Sequence, residues 1–341
     1  MKIGYWFLIK LILICAILTV MVWNTDLAGI PRLLGSIDAG FLPIAFLLYF
    51  CMFIIGSIRY KVVLNLPVKL RILLPVSILQ NITNQFMPAH AGDVSYMMLL
   101  KKTSGVTLGR SFASLLMIRL YDLIVIGLLL IASTILLDGK SGTVMTISVV
   151  SGVFLAVLLL VVSLLIKYLA KVVSGLKWLA GSFGLSKVSF AERLMDGADD
   201  TADAVSVLNS RRKVAEALFL SFIFWTLPLT MSYVIFTHVF GLPVTFCQVF
   251  YLYTVLTIFS VVPIHFLGGL GTMDAGIAAL LVMFGIMNKS DSIAFSLSLR
   301  IISYLYAAIC MLFAFLALKI ERAQNTEVVV EKMYDDEHLN S

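Results

Sequence analysis

The sequence predicts an all-α, polytopic helical membrane protein with about six full spans and two re-entrant helical hairpins in an inverted-topology repeat. Three observations carry that prediction. Of 341 residues, 61% are hydrophobic and 13% charged, and the mean hydropathy is +1.04; soluble domains run nearer half apolar and a quarter charged. Several apolar runs reach the roughly 20 residues that a helix needs to cross hydrocarbon, and none shows the period-two alternation of an outer-membrane barrel. Two stretches, around 88–96 and 263–276, place proline, glycine and ionisable side chains inside otherwise apolar sequence.

The elements follow in order. The run 4–23 is interrupted by Lys10 but continues to Trp23 with no small-residue cleavage site after it. It is therefore expected to remain as the first span rather than leave as a signal peptide. The runs 39–57, 111–137, 143–166, 214–239 and 291–319 are the other expected spans. Residues 70–87 end in Asn81, Thr83, Asn84, Gln85 and then Pro88, and 93–100 is too short to cross; together they form the first expected hairpin. Residues 246–265 and 273–287, around "PIHFLGGLGTMDAG", form the second. Apolar segments broken by proline and glycine at matching places in two halves mark a transporter's binding site.

The expected organisation is one transmembrane domain, 1–320, with repeat one at about 70–137 and repeat two at about 246–319. The connection 167–213 spaces Phe190, Leu194, Ala198, Ala202, Val205 and Leu208 helically among acids, as an amphipathic cytoplasmic helix does. Residues 321–341 read as a disordered cytoplasmic tail.

The net charge of +6 gives no reason to expect nucleic acid, because the basic residues gather in a few short connections. Arg59, Lys61, Lys69 and Arg71 lie in 58–71, Lys101, Lys102 and Arg110 follow the first hairpin, and eight more lie in 167–213. The connections 138–142 and 240–245 are nearly uncharged. With the N-terminus inside, every basic cluster and both termini face the cytoplasm, in a bacterial or archaeal plasma membrane. The pattern holds only if both broken regions re-enter. Three full spans separate them, an odd number, so the hairpins are expected to enter from opposite faces. Cys15, Cys51, Cys247 and Cys310 all lie in apolar runs and read as buried hydrophobes.

The charges inside the apolar sequence define a candidate site. Asp93 and Arg119 are 26 residues apart, as are Asp274 and Arg300; a proline and a glycine precede each Asp, and Gly105 or Gly285 lies between. Ionisable groups at bilayer depth are costly and mark function. Each arginine is expected about nine residues into its helix, too deep for easy snorkelling, and its planar fork of donors suits phosphate or carboxylate. Two readings stand side by side. The arginines are structural locks on Asp93 or Asp122 and on Asp274, or they bind an anionic ligand; both hold if the locks exchange with a ligand's phosphate. His90 and His265 precede the hairpin aspartates, too scattered for a metal site and suited to proton coupling with the acids. Asn84, with Asn81 and Gln85, caps a helix end or meets a head group. Gly92, Gly269 and Gly271 permit close backbone approach to a ligand. No catalytic residue, metal or cofactor is expected.

The stretches "NQFMPAHAGDVSYMMLLKKTSGVTLGRSFASLLMIRLYDL" and "GGLGTMDAGIAALLVMFG" resemble the two signature regions of the lysylphosphatidylglycerol synthase transmembrane-region family, often called flippase-like. The likeness covers about 5–320 and implies a polytopic lipid translocase, whose best-known members flip aminoacylated phosphatidylglycerol. The soluble aminoacyl-transferase domain of the bifunctional synthases is not matched, so transferase activity is not carried over. Many relatives place an Arg after the first Gly-Asp/Glu, where this chain has Ser95 and Tyr96, which leaves the lipid's identity open. The expectation is a translocase of an anionic phospholipid or a polyprenyl-phosphate-linked lipid, with the membrane and envelope-biosynthesis enzymes as partners. The alternatives are a small-solute or ion transporter, an accessory subunit of an envelope-lipid complex, or an integral-membrane enzyme acting on a lipid phosphate. The last would want acid clusters within the membrane, and the apolar runs contain none.

Overall fold

A computed structural model describes residues 29–87, 91–137, 142–168, 210–260 and 270–339. The expected first span at 4–23 and most of the expected amphipathic connection lie outside them. The described residues form helices and no strand: α1 (Gly29–Gly35), α2 (Leu42–Leu64), α3 (Leu70–Phe86), α4 (Ala91–Ser104), α5 (Leu108–Leu136), α6 (Gly142–Lys167), α7 (Arg211–Val234), α8 (Phe246–Ser260), α9 (Thr272–Met283) and α10 (Lys289–Leu339). Among the described residues, five stretches are long and apolar enough to cross a membrane: Ala39–Leu64, Leu108–Leu136, Gly142–Leu164, Arg211–Val239 and Lys289–Glu321. They correspond to the five expected spans that fall within the described residues.

Local chemistry sets the boundaries. A 3-10 turn, Ala39–Phe41, capped by the Asp38 carboxylate on the Gly40 amide, leads into α2, which opens with Pro43 and stops at Asn65 in the left-handed region (φ +49°). Thr107 caps α5 by accepting from the Arg110 amide. The positive φ that ends a helix falls to glycine at both matching places, Gly105 before α5 and Gly285 before α10, each at φ +67°. Helix α7 carries Pro228 and finishes in a π-helical turn, Ile235–Val239.

The bundle has two chemically distinct ends. At one, the Lys213 ammonium donates to Asn65 (2.7 Å), the Arg110 guanidinium donates to the Leu64 carbonyl (3.2 Å), and Arg71 pairs with Glu321 (3.0 Å). The end of α2, the start of α3 and the start of α5 therefore meet there, with the basic residues of three connections. At the other, the Asp38 amide bonds the Val239 carbonyl, and Phe236 and Phe240 both pack edge-on against Phe295 near the start of α10.

Helices α3 and α4, of 17 and 14 residues, pack together as a pair whose outer ends both lie at the basic end. At 1.5 Å per residue they rise about 25 and 21 Å, short of the roughly 30 Å of a hydrocarbon core. Helices α8 and α9, of 15 and 12 residues, pair likewise but are anchored at the opposite end, where Tyr251 meets Phe284. The main apolar core joins α5, α8 and α10 through Ile126, Val255, Ile258, Phe295 and Ile302.

One expectation needs correction. Instead of giving way to a disordered tail at residue 321, α10 runs unbroken for 51 residues to Leu339. No glycine or proline follows Gly285, so nothing interrupts its backbone hydrogen bonds.

Candidate functional site

The two halves place their charges identically along the helices. Asp93 is the third residue of α4 and Asp274 the third of α9; Arg119 is the twelfth of α5 and Arg300 the twelfth of α10. The arginines sit deeper than the nine residues expected, because both long helices begin earlier than the hydrophobic runs. A carboxylate in a first helical turn is favoured by the orphan amides and the dipole there.

In the second half, Arg300 donates to Asp274 Oδ1 from Nε (3.1 Å) and from Nη2 (2.8 Å). Asp274 Oδ2 accepts from the Gly271 amide (2.9 Å), and Gly271 takes φ +85° to present it. That amide, expected to face a ligand, is thus used as a helix cap. The Arg300 guanidinium lies 5.9 Å from the Tyr304 ring centre.

In the first half, Asp93 Oδ1 accepts from the Gln80 amide (2.9 Å) and the Asn84 amide (2.8 Å), while Oδ2 meets Arg119 Nη2 at 3.4 Å. Gln80 is itself fixed, its Oε1 accepting from the Tyr60 hydroxyl at 2.6 Å. Gly92 makes this geometry possible: a Cβ there would lie 2.0 Å from the Gln80 carbonyl oxygen and 2.6 Å from Asn84 Oδ1. Gly92 is buried by this close helix crossing and so acts through packing.

Asp122, considered as a partner for Arg119, is held instead by Arg59, with the Trp225 indole donating to the same carboxylate oxygen at 2.9 Å. The Arg59 guanidinium also stacks 4.3 Å from the Phe224 ring centre. The sequence places Arg59 in a cytoplasmic connection; α2 runs on to Leu64 and buries it to 2% exposure. A signal for this pair exists in the sequence. At the spacing that aligns the two repeats, Asp122 falls opposite Ser303, so it has no counterpart acid and its cation has to come from outside the repeat.

Two cavities flank these pairs. One, of about 480 Å³, is lined by Arg59, Arg119, Asp122, Gln80, Asn81, Asn84 and Gln85 among others. The other, of about 310 Å³, is lined by Asp274, Arg300 and a largely apolar wall including Met231, Leu252, Leu256 and Ile277. They share Trp225, Tyr253, Ser260 and Ser303, and so adjoin near the middle of the bundle. The structure thus brings Asp93, Arg119, Asn84 and Asp122 to one cavity region and Asp274 and Arg300 to the next. His90, His265 and Gly269 lie outside the described residues.

A family model described as "Lysylphosphatidylglycerol synthase TM region" matches residues 7–310. No curated protein and no solved structure matches the chain.

Proposed function

The chain belongs to the lysylphosphatidylglycerol synthase transmembrane-region family of integral membrane proteins, and from that premise we propose that it is a translocase for an anionic phospholipid or a polyprenyl-phosphate-linked lipid. The observation that carries this reading is the repeated Arg–Asp pair, set at matching helix positions and facing two adjoining cavities. Moving a lipid head group through hydrocarbon requires replacing its water. A guanidinium held at a cavity beside a counter-carboxylate can do this, because a phosphate takes the carboxylate's place.

In this reading α3–α4 and α8–α9 are the re-entrant hairpins of an inverted repeat, opening to opposite faces, and the basic end and both termini are cytoplasmic. Asp93 and Asp274 are resting counter-ions, Arg119 and Arg300 the anion ligands. No covalent chemistry is assigned to any residue.

Reconstitution into proteoliposomes with a fluorescent anionic lipid tests the proposal. Movement between leaflets should exceed that of protein-free vesicles and fall at least about tenfold in the Arg119→Lys, Arg300→Lys double variant, which keeps charge but loses the bidentate fork. Undiminished movement by that variant overturns the site. Uptake of a water-soluble anion with no lipid movement overturns the lipid reading.

A further inference from the structure

The larger, polar cavity and the smaller, apolar one are separate, and what stands between them is chiefly a pair of rings; the inference drawn from this rests on the translocase reading. Of the four side chains common to both walls, Ser260 and Ser303 are small, so the bulk of the partition is Trp225 from α7 and Tyr253 from α8. Both rings pack on one apolar cluster, Val125, Leu129, Leu229 and Phe250. Trp225 is also pinned from one side: its indole donates to Asp122 at 2.9 Å, and Asp122 is held by Arg59. Breaking the indole's bond strands no charge, because the carboxylate keeps its guanidinium. The cost is one hydrogen bond, so the ring is fastened reversibly.

Helix α7 is built to bend beside this ring. Pro228 has no amide hydrogen to give the Phe224 carbonyl four residues back, and an interior proline is where a helix bends. The Thr230 and Ser232 hydroxyls donate to the Thr226 and Pro228 carbonyls at 2.9 and 2.8 Å, a competition that loosens the helix further. The helix then ends in the π-helical turn Ile235–Val239, another weakening of its ladder. The proline also divides the helix between the cavities. Before it, Phe224 lines the polar cavity and Trp225 both; after it, Met231, Ser232 and Ile235 line the apolar one. The two segments have different anchors. Phe224 stacks with Arg59 of α2 and Trp225 bonds α5, whereas Phe236 packs edge-on against Phe295 of α10. A bend at Pro228 therefore shifts one anchored segment against the other, with Trp225 at the join.

We propose that Trp225 is the gate between the two cavities. It is closed against Tyr253 while its indole bonds Asp122, and it opens as α7 bends at Pro228.

Thiol accessibility of the full chain in membrane vesicles of each orientation tests the gate without requiring lipid movement. The four native cysteines are first replaced by alanine. The reporters are Asn81→Cys in the polar cavity and Ile277→Cys in the apolar one, each read as the ratio of its reaction rates with an impermeant methanethiosulfonate at the two faces. In the parent each reporter should react at least about tenfold faster from one face, the scale of one hydrogen bond to a charged group. Trp225→Ala should bring both ratios close to one. Trp225→Phe keeps a ring on the Leu229 and Phe250 cluster and loses the bond to Asp122, so its ratios should fall well below the parent's without loss of the fold. Pro228→Ala restores an amide hydrogen for the Phe224 carbonyl and should move the ratios the other way, above the parent's. Equal rates from both faces in the parent, parental ratios in Trp225→Phe, or ratios in Pro228→Ala no higher than the parent's each overturns the gate. In proteoliposomes, lipid movement by a chain whose ratios ignore Trp225 overturns the gate and leaves the translocase standing. Ratios that respond as expected, with no movement of any lipid, overturn the translocase and leave the gate.

Discussion

Arg300 holds Asp274 through two nitrogens, Nε at 3.1 Å and Nη2 at 2.8 Å, with the carboxylate 1% exposed and the guanidinium 12%. Its counterpart contact, Arg119 to Asp93, is a single one at 3.4 Å between side chains 40% and 23% exposed. The same pair of residues is thus tight and closed in one half, loose and open to its cavity in the other. The two pairs should answer mutation differently.

Arg300→Ala strands a buried carboxylate, a change that costs about 3–5 kcal/mol when no other charge compensates. Thermal unfolding in detergent should show a strongly destabilised protein. Adding Asp274→Asn, which removes the stranded charge, should recover most of the loss; a double variant as unstable as the single would mean the pair is not a buried lock.

Arg119→Ala should change stability by no more than about 1 kcal/mol, because so exposed an ion pair contributes little. Asp93 also keeps its two amide donors. Lipid movement should nevertheless fall by an order of magnitude or more. A large drop in unfolding temperature, or intact transport, would contradict this reading of the looser pair.

Asp122→Ala leaves Arg59 buried at 2% exposure without its partner and should cost several kcal/mol, about 3–5 by the same reasoning. Replacing both, as Arg59→Met with Asp122→Leu, should restore stability close to the parent. Chemical denaturation of the single and double variants checks both outcomes.

Gly92→Ala places a methyl group 2.0 Å from the Gln80 carbonyl, so α4 must move off α3 and Asp93 must lose its amide donors. Gly105→Ala meets open space and costs only the strain of φ +67°, about 1 kcal/mol. Unfolding temperatures should rank the parent first, Gly105→Ala slightly below it and Gly92→Ala far below. Equal effects would mean the close crossing is not needed.

Exposed positions at the two ends should label from opposite sides of the membrane. Lys61→Cys and Arg212→Cys should react with an impermeant maleimide only from the cytoplasmic face, and Ser36→Cys only from the outer face. The native cysteines are first replaced by serine or alanine. Reaction of all three from one side would refute the topology.

Much of this was legible in the sequence because hydrocarbon is an unforgiving solvent: an apolar run of span length has few alternatives to a helix, and an isolated Asp or Arg within one must find a partner. The five described spans and both Arg–Asp pairs follow from that logic, with the 26-residue spacing naming the partners. Arg59 escaped because charge at the end of an apolar run reads as a boundary, while helix length is decided by packing; α2 continues past it under the cover of Phe224 and Trp225. The helical end of α10 escaped because composition reports the lack of an apolar face, whereas a helix already nucleated by a span propagates through polar sequence at little cost.

The Arg59–Asp122 pair bears on energetics as well as on binding. A device made of two interchangeable halves would have conformers of equal free energy, and without cargo it would spend equal time facing each leaflet. Here an ion pair with no image in the other half, together with the unequal strengths of Arg119–Asp93 and Arg300–Asp274, lifts that degeneracy. A bias of about 1.4 kcal/mol already sets a ten-to-one occupancy of the empty conformers. In the translocase reading such a bias cannot drive lipid uphill, but it sets which leaflet the empty molecule faces more of the time, and so the side on which cargo is more often captured.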